Sequence, residues 1–318
     1  MDYPIELVLR VNEIYHDVEG RDYEDRHPEI FAGEAARWKA IGRALLAENC
    51  STIRLLDVGS GTGFVPLQIG PFLKSDDHLI CSDVSANMLR VCEATLSHKF
   101  EFPIEYLKLD GKTIDLASES LDYVTLNSVL HHVPDLSIFF KEIDRLMKAG
   151  GRLIICHEPN RRFYAHGFLW HNSRFTEMLM SPRKLIGLML RKLGLYDLVR
   201  KVFTVSDPGV QRHRAIADDV NRRLLDEHVI DAPLSSNQVA EIVDIHSPTA
   251  GGGRHKDRGI DVSEIVARHL PDFEVESLET YGYLPDVSRN RIVRWYDSVL
   301  ASKFPDAGAT MLVILRKT

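Results

Sequence analysis

LLDVGSGTGF, residues 55–64, is the stretch that decides the fold. An apolar run ends at Asp57 and Val58 and passes straight into a glycine-rich turn. Gly59, Gly61 and Gly63 carry no Cβ, so the backbone there can turn sharply and come close to a ligand. Asp57 stands just before the turn, at the carboxyl end of an expected strand, where open α/β sheets bind ligands. The spacing is GxGxG. Phe64 occupies the position where a dinucleotide fingerprint needs its third glycine, and no GK[ST] follows, which excludes a triphosphate P-loop.

Downstream, short apolar runs alternate with amphipathic helices. IRLLDV (53–58), HLICSD (78–83), IEYLKLD (104–110), LDYVTLN (121–127) and RLIICHE (152–158) read as strands. Their near-continuous apolar character is what strands buried on both faces of a parallel sheet require. Between the last two, Leu136, Phe139, Phe140, Ile143, Leu146 and Met147 form one helical stripe over 135–148. Asp135 is the expected N-cap, and Gly150 or Gly151 the expected left-handed stop. Such alternation means right-handed βαβ units in an open, doubly wound α/β sheet. FEVESLETYGY (273–283) and ATMLVILRKT (309–318) complete seven strands, with a helix near 288–303 between them.

The expected organisation is an N-terminal helical segment (1–50), a ligand-binding core (51–159), a helical insertion (160–258) and a completion of the sheet (259–318). Leu7, Val8, Val11, Ile14 and Tyr15 fall at helical spacing, as do Ala35, Trp38, Ile41, Ala44 and Leu45. The polar EGRDYEDRHPE between them reads as a loop.

The ordered motifs resemble class I S-adenosylmethionine-dependent methyltransferases, in particular the small-molecule type of quinone and natural-product biosynthesis. LLDVGSGTGF is similar to that family's motif I. Asp83, in CSDVSANML, resembles the acidic residue that accepts both ribose hydroxyls, a task suited to the two oxygens of a carboxylate. Asp110 and Gly111, in LKLDG, resemble the pair beside the adenine amino group. Asn127 and Ser128, in DYVTLNSVLHHVPD, match the segment along the methionine end of the cofactor. MKAGGRLIICHEPN (147–160) resembles the turn and fifth strand, with alanine where the family usually has proline. The resemblance implies a Rossmann-like fold, S-adenosyl-L-methionine as cofactor and S-adenosyl-L-homocysteine as product. It implies a cofactor set of Asp57, Gly59, Ser60, Gly61, Thr62, Gly63, Asp83, Val84, Met88, Asp110, Gly111, Asn127 and Ser128.

Methyl transfer from a sulfonium is an in-line displacement, so the protein mainly supplies alignment and, where needed, a base. Positioning alone can lower the barrier by roughly 7–11 kcal/mol. Candidate bases are His157 and Glu158, at the end of the fifth strand, and His132, after the fourth; neutral-range histidines suit proton removal from a phenol-like acceptor. Tyr15, Tyr23 and Phe31 are candidates to close over the cofactor. No metal is required, and His246 and His255 lack a third ligand at sensible spacing.

The 318 residues carry a net charge of −7, which argues against a nucleic-acid partner. Nucleic-acid methylation also lacks its marks: Asn127-Ser128-Val129-Leu130 replaces [DN]PP[YF], and no proline precedes a cysteine. A nicotinamide oxidoreductase is disfavoured by Phe64, and a non-catalytic cofactor-binding scaffold is the main alternative. Cys50, Cys81, Cys92 and Cys156 form no CxxC pair and read as reduced thiols. With no signal peptide or long apolar run, the expected location is the cytoplasm.

Residues 160–201 break the acidic balance. Arg161, Arg162, Arg174, Arg183, Lys184, Arg191, Lys192, Arg200 and Lys201 are opposed only by Glu177 and Asp197, and leucines interleave them. This pattern suits a helical cap with a solvated basic face, an anionic acceptor, or a peripheral contact with a membrane that offers a lipid-like acceptor. The glycine-rich HSPTAGGGRHKDRG (246–259) is a candidate lid.

Overall fold

A computed structural model describes residues 3–20, 28–46, 51–181, 208–250, 254–285 and 290–318. Seven strands form one sheet: β1 (Arg54–Val58), β2 (His78–Asp83), β3 (Ile104–Lys108), β4 (Leu121–Asn127), β5 (Met147–Pro159), β6 (Phe273–Tyr281) and β7 (Thr310–Lys317). Their order is β3-β2-β1-β4-β5-β7-β6. β1 to β5 pair in parallel, while β7 runs antiparallel to both β5 and β6. Strand order reverses between β1 and β4, so the GxGxG turn leaves the sheet at its topological switch point.

The apolar runs split by alternate residues between two cores. Leu56, Ile80, Val124 and Ile155 are buried on one face, and Leu55, Leu79, Cys81, Tyr123 and Ile154 on the other. The helix α3 (Phe64–Ile69) follows the glycine turn, and α4 (Ala86–Leu96) lies between β2 and β3. The helix α5 (Leu136–Leu146) begins at Asp135, whose carboxylate accepts the N–H groups of Ser137 and Ile138. It buries Phe140, Ile143 and Leu146 against the first core. Its end differs from expectation. Neither Gly150 nor Gly151 stops it: Met147 is already extended (φ −83°, ψ 137°) and opens β5. Gly150, at φ +79°, lies inside that strand instead.

Chain order and packing part company in the helices. From the N-terminal segment, α2 (Pro28–Ile41) and the π-helical turn Gly42–Leu46 place Trp38, Ile41 and Leu46 in the second core. The helix α1 (Ile5–Glu19) packs elsewhere. Val8, Val11 and Ile14 are buried with Ile216, Val220 and Leu224 of α8 (Pro208–Asp226) and with Val239 and Ile242 of α9 (Ser236–Val243). Each such side chain contributes about 1.5–3 kcal/mol relative to exposure, so packing holds α1 in place. The start of the insertion goes a third way. The helices α6 (Arg161–Ala165) and α7 (Gly167–Met180) bury Phe163 and Leu169 with Tyr283 and with Val293 and Leu300 of α11 (Arg291–Lys303). The short α10 (Val262–Arg268) leads into β6.

Cys81, Cys92 and Cys156 are buried free thiols. Among the described residues, no helix is long and apolar enough to cross a membrane. Tyr23, Cys50, Arg183, Lys184, Arg191, Lys192, Arg200, Lys201 and the glycines at 251–253 lie outside the described residues, as does the side chain of Phe31.

Candidate active site

The turn after β1 is held by its own backbone geometry. Gly59, Gly61 and Gly63 have φ of +69°, +52° and +92°. A Cβ on Gly59 would lie 2.5 Å from Val129 Cγ2, whereas one on Gly61 would meet nothing within 4 Å. The first glycine therefore makes room for the loop after β4, and the second faces open space.

That space is a cavity of about 140 Å³ at the carboxyl ends of β1, β2 and β4. Gly59, Gly61, Asp83, Val84, Met88, Gly111, Asn127, Ser128 and His132 all line it. Asp83 is buried, with one carboxylate oxygen taking the Gly61 N–H (3.0 Å) and the other the Ser85 N–H (2.8 Å). Burial raises its pKa, opposed by His16 and these two N–H groups. A carboxylate offers about four lone-pair sites, so two remain beyond these bonds. Asn127 is held from behind, its Oδ1 accepting the indole N–H of the buried Trp38 at 2.9 Å.

The other residues of the implied cofactor set stand outside this lining. Asp57 lies behind the turn: Oδ1 accepts the Thr125 hydroxyl at 2.6 Å, while Oδ2 is buried without a hydrogen-bond partner. Burial pushes its pKa up to about 7, with the charge of Asp83 adding to the rise. The Ser60 hydroxyl donates to the Asp57 carbonyl and accepts the Ser82 N–H, tying the turn to β2. The Thr62 hydroxyl is buried without a partner, and Gly63 packs against Cys92. Asp110 borders a separate surface groove. Its oxygens accept the N–H groups of Lys112 and Thr113 and the Thr113 hydroxyl, and those bonds, Thr113 first, lower its pKa.

One wall of the small cavity comes from α1, through Leu9, Asn12 and His16. Asp17, on the same helix, accepts the Ser85 hydroxyl (2.5 Å) and the Asn87 N–H, which pins α1 to the start of α4. Tyr15, a candidate to close over the cofactor, instead borders a second cavity of about 960 Å³. That larger cavity is walled by α1, α8, α9 and the chain around Ser247–Ala250, and it shares His16, Ser128 and His132 with the first. The 246–259 segment is tied down at both ends: His246 donates its N–H to the His131 carbonyl, and Gly259 donates to the His246 carbonyl.

The three candidate bases separate. β5 carries a bulge between Cys156 and Glu158, with His157 at φ +58°. A bulge re-aims side chains, and here it leaves His157 facing the larger cavity while Glu158 turns inward. The His157 Nδ1 lies 3.3 Å from Glu34, a buried carboxylate that also accepts the Cys156 thiol (3.1 Å) and Arg37 (3.3 Å). Burial alone would raise the Glu34 pKa, but His157, Cys156 and Arg37 outweigh it. Glu158 is fully buried and accepts the N–H groups of Val129 (2.6 Å) and Leu130 (2.7 Å) and the His131 ring at 2.8 Å. Glu158 thus holds the loop after β4 and borders neither cavity, unlike the other two candidate bases.

His132 borders both cavities, with Nδ1 2.8 Å from the Val243 carbonyl and its ring edge-on to His16. His131, His132 and Asp244 bring potential ligand atoms within 4.8 Å of one another. Glu158 engages His131 Nδ1 at 2.8 Å, and the Val243 carbonyl engages His132 Nδ1 at 2.8 Å. Burial would lower the His131 pKa, but the charges of Glu158 and Asp244 raise it.

Residues 56–155 match a family model described as a methyltransferase domain. The chain is 29% identical over 147 residues to a ubiquinone/menaquinone biosynthesis C-methyltransferase of Rhizobium meliloti, covering 46% of this chain and 57% of that one. It is 28% identical over 162 residues to a demethylmenaquinone methyltransferase of Lactococcus lactis, covering 50% and 63%. It thus spans less than two thirds of these relatives. A solved S-adenosylmethionine-dependent methyltransferase from Mesorhizobium loti aligns over 90% of this chain and 100% of its own, at 16% identity and a TM-score of 0.48. The chain resembles class I S-adenosylmethionine-dependent methyltransferases across its core.

Proposed function

We propose that this protein transfers a methyl group from S-adenosylmethionine to a small-molecule acceptor. One observation carries the reading: a small cavity at the sheet's switch point, bordered by Gly61 and Asp83, shares the walls Ser128, His132 and His16 with a much larger one. A cofactor in the first would thereby meet an acceptor in the second. The residues fit that cofactor. Asp83 keeps lone pairs for two hydroxyls, and Gly61 leaves open space where a side chain would stand.

When bound, S-adenosylmethionine supplies an electrophilic methyl group. The chain's own part is to orient and to manage a proton. Asp83 and the glycine turn would hold the nucleoside end, and Asn127, fixed by Trp38, and Ser128 would border the other end. Among the candidate bases, His157 and His132 remain. Both face the larger cavity, and the buried Glu34 beside Nδ1 orients the His157 ring for an acceptor that must lose a proton. The relatives named for quinone biosynthesis support a small, lipid-like acceptor over nucleic acid.

The test is turnover. With methyl-labelled S-adenosylmethionine and a panel of quinol, phenol and anionic acceptors, S-adenosylhomocysteine should accumulate above the acceptor-free rate for at least one class. Binding of the cofactor without turnover on any of them would favour a non-catalytic scaffold.

A further inference from the structure

The outward face of the α7–α11 pair has a composition that packing does not require. Phe168, Phe175 and Leu179 lie on one side of α7 and are 51%, 56% and 53% exposed. Their spacing of seven and four residues keeps them on one helical stripe. On α11, Ile292 and Trp295 are 74% and 65% exposed. The two helices lie together: the Tyr296 hydroxyl donates to Asn172 Oδ1 at 3.0 Å, and the Phe168 and Phe304 rings are 6.1 Å apart. Their inner sides are already filled by Leu169, Val293 and Leu300, so the outer aromatics are surplus to the core.

Charge on this face is one-sided. Arg291, Arg294 and Lys303 are exposed on α11. The carboxylates on these helices are engaged: Glu177 pairs with Arg174, and Asp297 accepts the Leu284 N–H at 2.8 Å. In sequence, α7 leads directly into residues 182–207, which carry Arg183, Lys184, Arg191, Lys192, Arg200 and Lys201 against Asp197 and Asp207. Aromatics and aliphatics rimmed by arginine and lysine match a bilayer interface, where ring faces enter the acyl boundary and cations meet lipid phosphates. On the opposite side of α7, about 200° round the helix from Phe168, Trp170 packs on Tyr164, which borders the larger cavity, at 5.7 Å.

We infer that the outer face of α7 and α11 docks onto an anionic lipid bilayer. The inference stands apart from methyl transfer, and its test measures no turnover.

The experiment is sedimentation of the full chain with vesicles of phosphatidylcholine alone or with about 30 mol % phosphatidylglycerol. Binding should require the anionic lipid and weaken with salt. The double variants Phe175→Ser/Trp295→Ser and Arg291→Gln/Arg294→Gln should each lose at least about tenfold in partitioning, with circular dichroism and S-adenosylmethionine titration unchanged. Absence of wild-type binding to anionic vesicles would overturn the inference, as would variants that bind like wild type. So would a concentration-dependent dimer in light scattering that the same substitutions abolish, because the face would then belong to a second copy of the chain.

Discussion

Two cavities meet at Ser128, His132 and His16, and they are built from different materials. The smaller is walled largely by strand ends and the turns that leave them, with positions set by sheet register and by backbone hydrogen bonds such as Gly61 N–H to Asp83. The larger is walled by α1, α8, α9 and the 247–250 chain, and the three helices are held by side-chain packing among Val8, Val11, Val220 and Val239. A ladder of backbone bonds tolerates little change in shape, whereas a packed helical wall can be reshaped by substitution. The first construction suits an invariant ligand and the second a variable one.

The sharpest way to break this contrast is Glu158→Ala. It strips a fully buried carboxylate from the Val129 and Leu130 N–H groups and the His131 ring, and so loosens the wall common to both cavities. Denaturant unfolding should show a loss of about 3–5 kcal/mol; a loss under about 1 kcal/mol would mean that the loop holds itself.

A pH series tests the rigid side next. Burial raises the Asp57 pKa from 3.8 to about 7. Between these values the folded protein keeps a proton that the unfolded chain has shed, so this group makes stability fall as pH rises from about 4 to about 7. Below that window the contribution is absent from both states, and above it the penalty is complete. Asp57→Asn should flatten the slope; an unchanged pH profile would place the burial cost elsewhere.

The smallest expected effect separates two glycines. Gly59→Ala should cost stability, because φ is +69° and the new Cβ would strike Val129, and Val129→Ala should restore part of the loss. Gly61→Ala bears only the left-handed strain of about 1–2 kcal/mol, and its larger effect should fall on cofactor affinity. Equal melting and binding effects for both would erase the distinction.

The sequence disclosed one of these regions far better than the other. Strand positions were legible because burial on both faces makes apolar runs, and Gly59, Gly61 and Asp83 because turn and strand end adjoin along the chain. The wall supplied by Leu9, Asn12 and His16 was hidden, since 42 or more residues separate them from the turn and helical spacing reports only the face that packs. Val8, Val11 and Ile14 announced a helix and were silent about its opposite side. The roles of His157 and Glu158 depended on a bulge, which shifts alternation by one residue and leaves no mark in composition. Glu34 and Trp38 support the site from α2 by contacts that no local pattern encodes.

The most direct test of the cofactor assignment is calorimetric titration of wild type and Asp83→Ala with S-adenosylmethionine and, separately, with NADH, with thermal melting recorded alongside. The account predicts micromolar binding of S-adenosylmethionine alone, lost in the variant while the fold persists. Binding of NADH, binding of neither ligand by wild type, or undiminished S-adenosylmethionine binding by a folded Asp83→Ala would contradict it.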